Sequence, residues 1–290
     1  MQTIWIASYP KSGNTWMRAF LMQLLWGESQ NLTLADLATY FAGSSGRQWY
    51  DAAYEGPTSS LDEAALLHLR HKAIRLLARD TDGLVVGKTH SPLAAWGTRP
   101  DQHLIPPDLT RGAVYIVRNP LDIVPSAARH YGVGLDDMID LMASEDFVSA
   151  GSESHVPEKI GSWSAHVNAW TAGTDKPLQP GDQVPQVVRY EDMVADPLAA
   201  FSLVTHYLGV QVPRARMNRA IRRASFSALQ QDERHNGFSE RSGHTEGFFT
   251  NGKPGAGLVD LSEKQILRIV KTHGETMRRC GYPTDQYGHG

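Results

Sequence analysis

Lys11, Ser12 and Thr15 stand in the string Tyr9-Pro10-Lys11-Ser12-Gly13-Asn14-Thr15-Trp16, between a short apolar run and a helical pattern. A strand that turns through a glycine-containing loop into a helix aims backbone N–H groups and the positive end of the helix dipole at one point, which suits an anion such as a terminal phosphate. Lys11 adds a full positive charge, Ser12 and Thr15 add hydroxyl donors, and Gly13 permits close backbone approach. The loop does not close on Gly-Lys-Ser/Thr and has no G-x-G-x-x-G run, so neither common nucleotide motif applies. A solvated lysine on an ordinary strand-to-helix turn is the plainer reading of the same residues.

Two other groups carry chemistry. Arg118, in Arg118-Asn119-Pro120-Leu121-Asp122-Ile123-Val124-Pro125-Ser126, ends an apolar run where ligands of open α/β sheets collect, and Ser126 follows on the next helix. An arginine offers a bidentate fork to a phosphate; pairing with Asp122 or capping the sheet edge is the alternative. Lys88-Thr89-His90 ends another apolar run. An unperturbed imidazole titrates near ~6.5 and can accept a proton at neutral pH.

These residues need a scaffold. The runs 4–7, 84–88, 113–117 and 186–190 are short, β-branched and apolar on both faces, with helical segments between most of them. That pattern predicts an α/β fold with a central parallel sheet flanked by helices. The spacing Trp16, Phe20, Leu21, Leu24, Leu25 is helical. A second helix is predicted over 61–79, opened by a Ser60/Glu63 capping box and ended by Asp80-Thr81-Asp82-Gly83. A third starts at Asp196-Pro197 and turns Phe201, Val204 and Leu208 inward; a fourth, from a Ser262/Gln265 capping box, reaches about Arg279. Segments 43–59 and 132–161 lack periodicity and read as lids, binding loops or mobile surface, with disorder an equal expectation for 149–157.

Composition narrows the class. The 290 residues suit one large domain, 1–290, with no linker or repeat to divide it. With 28 basic against 31 acidic residues the formal net charge is −3, which argues against a chain-wide surface for nucleic acid. Cys280 is the only cysteine, so no internal disulfide forms. The first positive side chain is Lys11, behind the apolar run, which is the wrong order for a secretory signal, and no apolar stretch is long enough to span a bilayer. The expectation is a cytoplasmic protein.

The loop at 9–16 resembles the 5′-phosphosulfate loop of the sulfotransferases that use 3′-phosphoadenosine 5′-phosphosulfate (PAPS), with Asn14 where the family usually has Thr. The resemblance extends in order through Lys88-Thr89-His90, Arg118 to Ser126, the 160–170 segment, Arg189-Tyr190-Glu191-Asp192-Met193 and Phe248 to Gly255, covering about Ile4 to Tyr282. It implies a single domain of P-loop-like sulfotransferase architecture. It implies transfer of a sulfuryl group from PAPS to a small-molecule hydroxyl in preference to an amine, without a metal and leaving adenosine 3′,5′-bisphosphate (PAP). His90 is then the base, with Lys11 and Lys88 supporting transfer. Ser12, Gly13, Asn14 and Thr15 complete the loop, Trp16 stacks on adenine, Tyr190 approaches it, and Arg118 and Ser126 grip the 3′-phosphate. Asn251, Gly252 and Lys253 stand near the family's C-terminal Arg-Lys-Gly segment. Thr250 and Asn251 replace its two cations, and Lys253 or Arg241 is the substitute that sequence alone offers. A nucleotide kinase using ATP and Mg²⁺, or a silent binding module on the same fold, are the competing readings. Tyr40, Phe41, Trp49, Tyr50 and Tyr54 are candidates to line an acceptor pocket, with core packing the alternative. Oligomeric state is not readable.

Overall fold

The structure is a computed structural model that describes residues 2–79, 85–93, 103–172 and 184–287. In chain order the strands are β1 (Thr3–Ser8), β2 (Ala42–Gly43), β3 (Val85–Thr89), β4 (Thr110–Val117), β5 (Val148–Ser149), β6 (Glu158–Lys159) and β7 (Gln186–Arg189). The helices are α1 (Asn14–Leu25), α2 (Leu37–Tyr40), α3 (Arg47–Tyr54), α4 (Glu63–Arg79), α5 (Pro120–Tyr131), α6 (Leu135–Ala143), α7 (Trp163–Thr171), α8 (Tyr190–Ala195), α9 (Pro197–Tyr207), α10 (Arg214–Arg223), α11 (Phe226–Asn236) and α12 (Glu263–Arg279).

Five strands form a parallel sheet in the order β2-β3-β1-β4-β7. The period of two divides its side chains between two cores. Trp5, Ala7, Ala113, Tyr115 and Val117 pack with α5, α6, α7 and α12 on one face. Ile6, Val114, Ile116 and Val188 pack with α1, α9 and α10 on the other, where Phe20 and Phe201 stack at 4.0 Å. Burial of both faces explains the unbroken apolar runs. All five strands point one way, so their C-terminal ends share one edge. The chain places β3 on one side of β1 and β4 on the other, and the crevice at that switch is where ligands of such sheets bind.

Several expectations are corrected. α4 is capped by Asp62, whose Oδ1 accepts from Ala65 N at 2.8 Å, and not by Ser60; the turn 80–83 and Leu84 lie outside the described residues. The predicted irregular stretch 43–59 contains α3, and 132–161 contains α6 and the β5–β6 hairpin. Arg47 gathers the carbonyls of Ser152, Glu153 and His155, fastening the 149–157 segment to the start of α3. The Ser262/Gln265 box on α12 forms as expected. Among the described residues no helix is long and apolar enough to cross a membrane.

Candidate active site

The loop after β1 is tightly built. Lys11 and Gly13 both take left-handed backbone, with φ of 66° and 104°. A Cβ on Gly13 would stand 2.7 Å from the Tyr190 ring, so position 13 requires glycine on both counts. Asn14 serves as a brace: its Nδ2 donates to Ile6 O at 2.9 Å and its Oδ1 accepts from Arg18 Nε at 2.9 Å. Ser12 Oγ, Trp16 Nε1 and Arg118 Nε are buried donors without a hydrogen-bond partner among the described residues. Each such group costs about 1–3 kcal/mol unless something accepts from it. Trp16 and Arg118 line one cleft and Ser12 is buried behind it, and unpaired donors there fit a bound anion.

Lys11 Nζ sits 3.7 Å over the Phe248 ring centroid. Burial, aided by the neighbouring Arg118 charge and opposed by Glu240, lowers its pKa to about 7. Arg118, at the end of β4, donates through Nη1 to Lys11 O at 2.9 Å and lies 4.3 Å over the Tyr190 ring. Tyr190 in turn donates to Gly252 O at 2.7 Å. The 251–257 turn hangs on Asp122, which accepts from Gly255 N at 2.8 Å and Gly257 N at 2.7 Å. Asp122 is therefore engaged by the turn and not by Arg118. Pro125 has no N–H to offer the Leu121 carbonyl, and Gly257 packs so close to that oxygen that a Cβ would lie 2.2 Å away. Beside this turn a side cavity of about 190 Å³ is lined by Arg118, Ser126, Arg129 and Asn251. Arg129 there pairs with Asp260 at 3.1 Å.

His90 follows β3. Its Nδ1 donates to Ser8 O at 2.8 Å, which fixes the tautomer and leaves the Nε2 lone pair free to accept. Burial, with the Lys88 charge, lowers its pKa to about 4, so the ring is neutral at physiological pH. Its backbone is pinned at both ends. His90 N donates to Glu158 Oε1 at 3.0 Å, and His90 O accepts from His166 Nε2 at 3.0 Å. Glu158 is buried, yet the Arg70 charge, the Ser91 hydroxyl 2.8 Å away and the His90 backbone N–H hold its carboxyl below the usual range. Lys88 Nζ lies 3.1 Å from Glu240 Oε1. Burial lowers its pKa, and Glu240 opposes that.

These groups open onto one cleft of about 1400 Å³, which Trp26, Tyr40, Phe41, Trp49, His130 and Tyr131 also line. Burial, with the Lys11 charge, lowers the His130 pKa to about 4. Tyr50 is 1% exposed and takes a hydrogen bond from Arg70, whereas Tyr54 is 51% exposed. Neither lines the cleft; Tyr50 is core.

The chain matches the sulfotransferase domain family over residues 1–281. It belongs to that family. Solved structures agree in fold: a retinol dehydratase in complex with androsterone and the inactive cofactor PAP has a TM-score of 0.67 at 16% identity, covering 99% of this chain and 84% of that one. Mouse sulfotransferase SULT7A1 complexed with PAP has a TM-score of 0.62 at 20% identity, covering 96% and 86%. A second retinol dehydratase complex, with retinol and PAP, scores 0.65 at 18% identity over 96% and 82%.

In this sulfotransferase the cleft gathers Lys11, Gly13, Asn14, Thr15, Trp16, Lys88, His90, Arg118, Ser126, Tyr190, Asn251 and Gly252 on its walls, with Ser12 buried behind. Lys253 is exposed and borders neither cavity, and Arg241 is turned to Glu246 O at 2.9 Å. A cation that does border the smaller cavity is Arg129 on α5, where it is paired with Asp260. Sequence reasoning also missed Phe226, His130, Arg18 and Glu240, and took Phe248 only as the start of the C-terminal match. Arg18 carried a signal, as a charge inside an apolar helical run; Glu240 lies in a polar segment and carried none.

Proposed function

We propose that this sulfotransferase takes its sulfuryl group from PAPS and transfers it to the hydroxyl of a small acceptor with an apolar body. The observation that carries this reading is the single cleft in which Lys11, Lys88 and Arg118 face a neutral His90 whose Nδ1 proton is tied to Ser8 O. The residues fit the donor. The loop N–H groups, the buried Ser12 hydroxyl and Lys11 suit the 5′-phosphosulfate; Arg118, Ser126 and Arg129 suit the 3′-phosphate; Trp16, Tyr190 and Phe226 suit the adenine. When bound, PAPS supplies an activated sulfuryl group with PAP as leaving group.

The chain's own work is then positioning and electrostatics. His90 Nε2 takes the acceptor proton. Lys11 stabilises the negative charge that grows on the leaving phosphate, and Lys88 does so at the sulfuryl oxygens. The aromatic lining of Tyr40, Phe41, Trp49 and Tyr131 orients the acceptor and excludes water. The retinol dehydratase complexes hold retinol and androsterone, both apolar alcohols, which is the class proposed here.

The test is transfer of label from PAPS to a panel of apolar alcohols and phenols, run beside ATP with Mg²⁺ and with His90→Ala as control. Label should move from PAPS and not from ATP, and His90→Ala should nearly abolish it. Transfer of phosphate from ATP would overturn the reading.

A further inference from the structure

Segment 237–252 joins α11 to the turn docked on α5, and Glu240 reaches from it into the anion cradle. Glu240 Oε1 lies 3.1 Å from Lys88 Nζ, and Oε2 lies 2.7 Å from Arg18 Nη2 and 3.3 Å from Thr15 Oγ1. Arg18 is 1% exposed. Its remaining bonds run to the phosphate loop, Nε to Asn14 Oδ1 at 2.9 Å and Nη2 to Thr15 Oγ1 at 3.1 Å. One chain of contacts thus links the loop, Arg18, Glu240 and Lys88.

A carboxylate beside an anion site can be a stand-in that leaves when the ligand arrives, or a fixed strut. Arg18 decides between them. Moving Glu240 away would leave a buried guanidinium with no counter-charge, and breaking a buried pair by removing one partner is strongly destabilising. Asn14 points the same way, because it holds the guanidinium from the other side. Asn14 and the Arg18–Glu240 pair belong to one network of contacts.

We propose that Glu240, locked by Arg18, is a positioning residue that holds Lys88 Nζ at the C-terminal end of β3 for sulfuryl transfer. The proposal rests on the assignment of Lys88 to the transferring group. Lys88 is faced by Glu240, by Arg18 on α1, Lys11 on the β1 loop, Glu158 on β6, His130 on α5, His155 in the 150–157 loop, and its neighbour His90. Burial pushes Lys88 toward the neutral form, and Glu240 is the largest opposing influence. Removing that carboxylate lets Lys88 lose its proton at lower pH, so the alkaline limb of kcat moves down. A merely structural role would not move it.

The experiment uses the full chain with labelled PAPS and whichever panel alcohol or phenol wild type sulfates fastest. In Glu240→Gln, kcat should fall by about tenfold to 100-fold with donor KM within about twofold of wild type, and the alkaline limb should shift to lower pH. Glu240→Asp keeps the charge with a shorter reach; kcat should fall less and the limb should stay. Wild-type kcat and limb in Glu240→Gln would overturn the proposal, as would tighter PAP binding with kcat unchanged or raised, the mark of a displaced stand-in. Should Glu240→Gln not fold, Glu240→Asp decides: lowered kcat at wild-type donor KM supports the strut, and wild-type kcat overturns it. Wild type that neither binds PAP nor transfers label overturns the underlying function, whereas active wild type with an indifferent Glu240 overturns this inference alone.

Discussion

Lys11 must be charged to hold an anion, yet the site that makes it useful also drains its charge. Burial first, then the Arg118 guanidinium, bring its pKa down to about 7. The protonated form binds the donor, so the sign is fixed: kcat/KM for PAPS, which reports the free enzyme, should decline as pH rises through about 7. A flat profile to pH 9 would mean that neither Lys11 nor Lys88 titrates in the empty site. At this scale much was legible. The place of Lys11, His90 and Arg118 at the cleft could be expected from sequence because each follows an apolar run, and the end of a parallel strand is where a ligand meets the chain; the role given to His90 came from the family resemblance. The Arg18–Glu240 pair was not, since its partners are 222 residues apart and the acid lies in a segment with no pattern. Arg129 was missed for another reason. The resemblance directs attention to 250–253 for the missing cation, while the charge that borders the cavity sits one turn beyond Ser126 on α5.

Among the elements, the 251–257 turn depends on a helix that precedes it by more than a hundred residues. Asp122 Oδ1 and Oδ2 take both Gly257 N and Gly255 N, and hydrogen bonds to a charged acceptor are each worth about 1.5–3 kcal/mol. Asp122→Ala should release the turn, and with it Asn251 and Gly252. Affinity for PAP by calorimetry should drop about tenfold, a step of ~1.4 kcal/mol. Adenosine 5′-phosphosulfate, which lacks the 3′-phosphate, should lose less. Equal loss for both ligands would show that the turn does not serve the 3′-phosphate. The buried strands and the α12 capping box were readable because period and cap chemistry agree there. α6 escaped although Met138, Ile139 and Met142 follow helical spacing and are buried, because Asp136, Asp137 and Asp140 break up a nine-residue segment. α3 is shorter still and opens on Gly46, which makes no side-chain cap.

Over the whole molecule, the parallel strands put the loops after β1, β3 and β4 on one edge of the cleft, and the fold around them buries neutral imidazoles. Burial lowers His90, His130 and His273 to about 4 and His166 to about 3. An unfolded histidine binds its proton near ~6.5, so between about 6.5 and 4 the unfolded chain holds more protons than the folded one. The stability these four rings contribute is therefore fully present above about pH 6.5 and is lost as pH falls toward 4. Scanning calorimetry should find Tm falling steadily across that window; a constant Tm would show that these rings are protonated in the fold.

The central claim is that His90 removes the acceptor proton in a site that binds PAPS without it. The direct measurement is a paired one on His90→Ala: PAP affinity by calorimetry, and single-turnover transfer of label from PAPS to the best panel acceptor. PAP should bind within about twofold of wild type, while transfer should slow by about 10²–10⁴-fold, the usual contribution of a positioned general base. Wild-type transfer by His90→Ala would contradict the account.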